Sequence, residues 1–269
     1  MVKKLFKHEI FAYLKTLTPV YIILCGIALM ARLLQFFENG GTVYKIIFGS
    51  ATVVYVISII VAIILTLILV ITRFYKNMFS SEGYLTHTLP VTADQHIIVK
   101  TVTAVLFQLI TVFAVLISAC IITAGELLKE ILKAIAYMYN FFNTSFEQNL
   151  AFYIIEVVLM LLIALTAEIL LFYAVISVGQ LFRKNRVIAA IGVYFGYYIV
   201  TQIIGTVLVV AVTLLANTEL MSAIVSFISA NPFKTAHIAF IAFAVFYAVL
   251  AAVYYLITSI IVRKKLNLE

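Results

Sequence analysis

The sequence predicts an all-α integral membrane protein with six transmembrane helices. Hydrophobic residues make up 65% of the 269 residues and charged residues only 11%, and the mean hydropathy is +1.20. A soluble domain is about half apolar and about a quarter charged. The apolar residues fall into six runs, and Lys and Arg cluster between them. Because so little charge cannot cover so much apolar surface, we expect lipid to be the solvent.

Each apolar run is long enough to cross a membrane. A helix of about 20 residues spans a hydrocarbon core about 30 Å thick. In lipid each segment has to satisfy its own backbone hydrogen bonds, which predicts helices. The spans are predicted at about Pro19 to Phe37, Ile46 to Ile71, Thr101 to Ala124, Leu150 to Val178, Val187 to Ala216 and Ala236 to Val262.

The basic residues predict the orientation of the spans. Cytoplasmic loops carry an excess of Lys and Arg. We therefore expect both termini and the loops at 73–100 and 179–186 to lie in the cytoplasm. Of the 18 basic residues, 13 fall on this side: Lys3, Lys4, Lys7, Lys15, Arg73, Lys76, Lys100, Arg183, Lys184, Arg186, Arg263, Lys264 and Lys265.

Residues 1–17 have the pattern of an interfacial helix. Apolar residues recur at helical spacing, and most of the basic residues occupy the other face. This pattern is typical of a helix lying in the inner interface, with its lysines near anionic lipid headgroups. The alternative is a plain basic start to the first span. The apolar positions are Val2, Leu5, Phe6, Ile10, Tyr13, Leu14 and Leu17.

Two outer loops also carry apolar residues. Residues 126–139 alternate apolar and charged positions at helical spacing, which predicts an amphipathic helix at the outer interface. Residues 220–228 are apolar but too short to cross. We expect them to form a re-entrant or interfacial segment between spans five and six that ends at Asn231-Pro232. With no repeat or linker in the chain, residues 1–269 are predicted to form one domain.

The connector at residues 73–100, between spans two and three, is the longest cytoplasmic stretch. It is too polar to stay in lipid, yet its aliphatic and aromatic residues indicate a surface built to dock. Pro90 interrupts a helix. Thr92 can then cap a new helix, with Gln95 at the capping-box position. That helix is predicted to run through Lys100 into span three.

This connector resembles that of the permeases of ABC type-2 exporters. The resemblance rests on the Glu82-Gly83-Tyr84-Leu85 stretch, on Thr88-Leu89-Pro90-Val91-Thr92 and on Lys100 before the next span. The six spans, the N-terminal helix and the element between spans five and six match the family in architecture. In that family the connector is the coupling helix. The resemblance thus implies that Glu82, Gly83, Tyr84, Leu85, Thr88, Leu89 and Pro90 contact an ATP-binding cassette subunit.

The resemblance also implies the other subunits of the transporter and its cargo. The chain would act as a dimer, with itself or with a related permease, in a bacterial cytoplasmic membrane. No Walker A sequence occurs in the chain, so ATP and Mg²⁺ are expected on a separate subunit, and the chain is expected to carry no cofactor and no enzyme activity. Its small size and connector resemble exporters of antimicrobial or cytolytic peptides of the phenol-soluble-modulin type, which implies a hydrophobic or amphipathic cargo.

Three charged residues, Arg32, Glu156 and Glu168, fall within the predicted spans. Such residues are costly in lipid and usually face the protein interior or a watery path. Arg32 and Glu156 have similar predicted depths, so an ion pair between them is geometrically feasible. Glu168 has no cationic partner at its depth. It is expected to be protonated, to bond to Thr166 or another span, or to line the translocation path. The alternative for all three is that they fix helix packing.

Other classes of function have weaker support in the sequence. No catalytic motif is present, and His87 and His96 lack a third metal ligand at a useful spacing. A nucleic-acid site needs a basic face on a soluble domain, whereas the basic residues here form short clusters between apolar runs. A secondary transporter or channel needs matching helix interruptions in its two halves, and the chain has none. A structural subunit of a membrane complex is the third alternative.

Overall fold

The structure is a computed structural model that describes residues 2–35, 41–80, 91–146, 150–182, 184–216 and 218–264. Most of these residues form α-helices, joined by short turns. All of the helices except α4 and α7 are long and apolar enough to cross a membrane, which gives six candidate spans and indicates a multi-pass membrane protein. The helices are α1 (Val2–Leu34), α2 (Gly41–Phe79), α3 (Ala93–Ile122), α4 (Glu126–Phe146), α5 (Leu150–Gly179), α6 (Arg186–Leu215), α7 (Glu219–Ala230) and α8 (Pro232–Lys264).

The helices group into two compact units. The first contains α1, α2 as far as Asn77, α3 and α4, and the second contains α5 to α8. Whether the two units form the single domain expected from the sequence stays a prediction.

Helix α1 is longer than the predicted first span. It continues without interruption from Val2 to Leu34, with Pro19 inside it, so the N-terminal amphipathic stretch and the first span share one helix. At about 1.5 Å per residue this helix is about 50 Å long, more than the hydrocarbon core requires. Its buried face begins well before the span, at Glu9 and Tyr13. Its location at the membrane interface stays a prediction.

Small residues and hydroxyl groups hold the first unit together. The Ala28 and Ala62 side chains are completely buried in a cluster with Leu24 and Tyr55, so α1 and α2 share a core that contains small residues. The Tyr55 hydroxyl lies 3.0 Å from that of Ser118, which joins the first half of α2 to the last turns of α3. Helices α2 and α3 are therefore antiparallel, as the predicted topology requires.

A second set of hydroxyl groups lies deeper in the same unit. The Thr111 hydroxyl lies 2.7 Å from that of Tyr21 and 3.0 Å from that of Thr66. Thr111 and Thr66 also donate to backbone carbonyls one turn earlier in their own helices. These hydroxyl groups join α1, α2 and α3.

The start of α3 confirms the predicted capping box. The Thr92 hydroxyl accepts from the Gln95 backbone N–H at 3.3 Å, and the Gln95 side-chain oxygen accepts from the Thr92 N–H at 3.2 Å. Helix α3 then runs through Lys100 to Ile122. The two reciprocal bonds fix the residue at which the connector becomes the third span.

Both predicted outer segments are helical. Helix α4 runs from Glu126 to Phe146, so it extends seven residues beyond the amphipathic stretch predicted at residues 126–139. A corner with positive φ at Ala124 and Gly125 precedes it. Helix α7 is capped by the Thr218 hydroxyl. It ends before Pro232, the first residue of α8. Interfacial or re-entrant placement of either helix stays a prediction.

In the second unit, α5 and α6 approach closely at their junction. A Cβ built on Gly179 would lie 2.6 Å from the Ala190 Cβ, a distance that real Cβ atoms do not reach. The end of α5 and the start of α6 can therefore meet only because residue 179 lacks a side chain. At the following turn, Asn185 adopts φ 54°, a left-handed conformation that Asn tolerates.

Candidate functional site

The structure describes the chain segments immediately before and after the predicted coupling helix. Helix α2 ends at Phe79 on one side, and the Thr92 cap starts α3 on the other. The candidate docking residues lie outside the described residues, so their contact with a partner stays a prediction. They are Glu82, Gly83, Tyr84, Leu85, Thr88, Leu89 and Pro90.

The buried carboxylate of Glu9 joins both of these sides. The Lys100 ammonium group donates to Glu9 Oε1 at 2.5 Å, and the Asn77 amide donates to the same oxygen at 3.2 Å. The Arg73 guanidinium donates to Oε2 through Nε at 3.1 Å and Nη2 at 2.8 Å. Arg73 and Asn77 lie on the last turns of α2, and Lys100 lies on the second turn of α3. We call Glu9, Arg73, Asn77 and Lys100 the root network.

The root network is shielded from solvent. Glu9 is 2% exposed and Lys100 is 4% exposed, while Arg73 retains 19%. The Arg73 guanidinium lies 5.2 Å from the centroid of the Tyr13 ring. The Tyr13 ring also stacks on Phe107, with the ring centroids 4.9 Å apart. The aromatic pair covers the charges and attaches the network to the body of α3.

The geometry of the root network has a mechanical consequence. One carboxylate binds two cations and an amide from the two helices that flank the connector. Removing one partner of a buried pair leaves an uncompensated charge, which costs about 3–5 kcal/mol. The end of α2 and the start of α3 are therefore both held to α1 by one buried carboxylate.

Glu9 was not predicted from the sequence as a site residue. It is the only acidic residue among the first 17, and it lies one helical turn before the apolar Tyr13. An acidic residue on the apolar face of a basic helix was the available signal. Arg73 and Lys100 were recognised as basic residues of the connector, and Lys100 also as part of the family resemblance, but neither was connected with Glu9.

Arg32 and Glu156, two charged residues of the predicted spans, each contact another residue of the chain. Glu156 on α5 lies 2.7 Å and 2.8 Å, by its two oxygens, from His237 Nδ1 on α8. The His237 ring also stacks on Tyr153 at 4.1 Å. Arg32 donates to Gln35. The partner that the structure gives Glu156 is thus His237, a residue that the sequence analysis did not connect with it. The contact joins the first turns of α5 and α8, which are parallel as the topology predicts.

Glu168 lines a pocket in the second unit. The pocket has a volume of about 420 Å³ and lies among α5, α6 and α8. Thr166, one of the partners considered for Glu168, instead donates its hydroxyl to the Leu162 carbonyl at 2.8 Å. Across the pocket, the Tyr254 hydroxyl donates to that of Tyr197 at 2.9 Å. Whether Glu168 lines the translocation path stays a prediction.

The candidate metal ligands do not assemble in the part of the chain that the structure describes. No group of three or more His, Cys, Asp or Glu side chains that could hold a metal ion occurs among those residues. His96 is buried near the start of α3, and His87 lies outside the described residues.

Comparisons of the chain with family models, with curated proteins and with solved structures give no match. The residues and contacts described above therefore carry the functional conclusion.

Proposed function

We propose that this chain is the membrane-spanning permease subunit of an ATP-driven ABC-type exporter. It moves a hydrophobic or amphipathic substrate, most simply a peptide, out of the cytoplasm by alternating access. A separate ATP-binding subunit docks on the connector at residues 73–100 and supplies the energy. The observation that carries the proposal is the root network, because it joins both ends of this connector to a third helix.

The proposal follows from what a coupling element has to do. When two ATP-binding subunits close, their motion must reach the membrane without being lost in a soft loop. A connector between two spans transmits force if the span ends next to it are fixed to each other. The Glu9 contacts with Arg73 and Lys100 fix those ends, and the Thr92 capping box stiffens the start of α3. An ordinary surface loop needs neither feature.

A second copy of the chain, or a related permease, is the proposed partner within the membrane. Helix α6 has no buried residue in the single chain. A Cβ added at Gly192 or Gly196 would meet nothing within 4 Å. Glycines four residues apart allow close contact between membrane helices. We assign this face of α6 to the contact with the second permease.

The orientation and the cargo belong to the same proposal. The excess of Lys and Arg at the connector and at both termini supports a cytoplasmic location for these parts in a bacterial cell membrane. The aliphatic and aromatic surfaces of the helices suit an amphipathic substrate better than a sugar or an inorganic ion.

Purification of the tagged chain from its native membrane in mild detergent tests the proposal. The expected result is a stoichiometric ATP-binding subunit that contains a Walker A sequence. Replacing Tyr84, Leu85 and Leu89 by Ser is expected to release that subunit. The matched control replaces exposed apolar residues of α4, Leu132 and Met138, by Ser, and should retain it. A monodisperse chain with no ATP-binding partner, or a partner that the connector variant retains, would contradict the proposal.

A further inference from the structure

The pocket beside Glu168 combines a carboxylate with aromatic rings at one depth. Glu168 lies 11 residues before the end of α5, Tyr197 lies 11 residues after the start of α6, and Tyr254 lies 10 residues before the end of α8. The end of α5, the start of α6 and the end of α8 lie on the same side of the membrane in the predicted topology. At about 1.5 Å per residue, each of the three residues is about 16 Å along its helix from that side. Three helices thus bring their polar side chains to one level inside the apolar part of the unit.

The Glu168 carboxylate is available to a ligand. The Glu168 residue as a whole is exposed, although it lies within an apolar helix. In the described portion of the chain, no side chain forms an ion pair or hydrogen bond with it. Glu9 and Glu156 differ in this respect, because each binds basic or imidazole groups of the protein. A carboxylate that stays unpaired within a membrane span is expected to serve a substrate or ion path.

The rest of the pocket is suited to an organic cation. Tyr197, Tyr247 and Tyr254 line it together with aliphatic side chains such as Leu165 and Leu171. The Tyr197 and Tyr254 rings meet edge to face at 6.1 Å. Aromatic faces attract a cation that has lost its water, and the aliphatic side chains provide contacts for an apolar body. A hydrated metal ion would use none of these apolar contacts.

The volume of the pocket limits the size of a ligand that it can hold. About 420 Å³ lies within the usual range for small-molecule sites, about 300–1,000 Å³. It is too small for a whole amphipathic helix. A small lipophilic cation fits, and so does one basic side chain of a peptide together with its apolar neighbour.

We propose that the pocket formed by Glu168, Tyr197, Tyr247 and Tyr254 binds a cation attached to an apolar body. The carboxylate neutralises the charge, and the tyrosines and leucines hold the apolar part. As a substrate site, this assignment rests on the proposed export function and adds to it that the cargo is cationic. The binding itself requires no ATP-binding subunit.

Equilibrium binding to the full chain in lipid nanodiscs tests the assignment, with empty nanodiscs as the correction for partitioning. The probes are tetraphenylphosphonium and tetraphenylborate, which share shape and apolar surface but carry opposite charges. We expect saturable binding of the phosphonium only. Glu168→Gln should weaken it at least tenfold, and Glu168→Asp should retain part of it. Glu156→Gln, on the same helix and outside the pocket, is the control and should bind as the unaltered chain does.

Two sources of the cation are separated by competition. A leucine-lysine amphipathic peptide is added to the bound phosphonium, and the same peptide with acetylated lysines serves as its control. Displacement by the first peptide alone identifies a basic side chain as the natural ligand. Phosphonium binding that neither peptide displaces identifies small organic cations as the natural ligands.

Three results would overturn the assignment: no saturable phosphonium binding, equal binding of the borate, or full binding by a folded Glu168→Gln chain. None of them bears on whether an ATP-binding subunit docks on the connector. Conversely, absence of that subunit would leave the binding result intact. The binding assignment and the export proposal are therefore tested independently of each other.

Discussion

The carboxylate of Glu9 lies 2.5 Å from the ammonium nitrogen of Lys100, although 91 positions separate the two residues along the chain. Both side chains are almost completely buried. Glu9 also binds Arg73, so one carboxylate fixes the positions of three helix segments. The connector proposed to receive the ATP-binding subunit begins and ends next to this contact.

Glu9→Gln is expected to destabilise the protein strongly. Glutamine has nearly the same shape but leaves Lys100 buried without its counter-charge. We expect a loss of about 3–5 kcal/mol in the free energy of unfolding, measured by denaturant titration of the detergent-solubilised chain. The double variant Glu9→Gln/Lys100→Met should recover part of the loss, because it removes the unpaired ammonium group.

An exposed ion pair in the same unit provides the control. Glu130 and Lys133 lie 2.7 Å apart, and their side chains are 69% and 73% exposed. Exposed pairs contribute at most about 1 kcal/mol, so Glu130→Gln should have little effect. Equal losses for Glu9→Gln and Glu130→Gln would show that the Glu9 contact is not a buried, stabilising ion pair.

Thr92→Ala is expected to loosen the first turn of α3. The substitution removes the hydroxyl that accepts from the Gln95 N–H, and loss of such a cap costs about 1 kcal/mol. Amide hydrogen exchange at residues 93–96 should therefore quicken. Thr16→Ala, which removes a hydroxyl bonded only within its own helix, should leave that exchange unchanged. Unchanged protection in Thr92→Ala would argue against the capping box.

Gly179→Ala is expected to separate α5 from α6 at their junction. The added methyl group would overlap the Ala190 side chain, and overpacking typically costs about 1–3 kcal/mol. The variant should show a lower melting temperature in detergent. Gly205→Ala is the control, because an added Cβ there meets nothing within 4 Å. A Gly179→Ala chain as stable as the Gly205→Ala chain would contradict the close approach.

Ala28→Leu is expected to disrupt the core of the first unit. Ala28 is completely buried beside Leu24 and Tyr55, so three additional carbon atoms have no room. We expect a loss of about 1–3 kcal/mol in the free energy of unfolding, and Ala252→Leu, at an exposed position of α8, should cost far less. Tolerance of Leu at residue 28 would mean that α1 and α2 are not tightly packed there.

Local features of the fold could be predicted from the sequence. The six candidate spans follow from composition, because a run of about 20 consecutive apolar residues is typical of a membrane-spanning helix. The start of α3 followed from Pro90, Thr92 and Gln95, since a capping box depends on residues only three positions apart. The continuity of α1 did not follow, because packing of Tyr13 and Leu17 against the protein extends the buried face well below the span.

The contacts between distant residues could not be predicted in the same way. Depth along a span indicates which residues lie at one level, but it does not indicate which helices are neighbours. For that reason Arg32 was considered as a partner of Glu156, whereas the structure pairs Glu156 with His237, 81 positions away. The Glu168 pocket needed the positions of three helices, so only its intramembrane carboxylate was visible in the sequence.

Site-specific cross-linking from the connector tests the central proposal most directly. Replacing Cys25 and Cys120 by Ala leaves a chain without cysteine. A photoreactive maleimide is then attached to Leu85→Cys or, as the outer control, to Met138→Cys in native membranes. We expect illumination to join residue 85 to a subunit with a Walker A sequence, and residue 138 to give no such product. Absence of that product from residue 85, or its equal formation from residue 138, would contradict an ATP-driven permease.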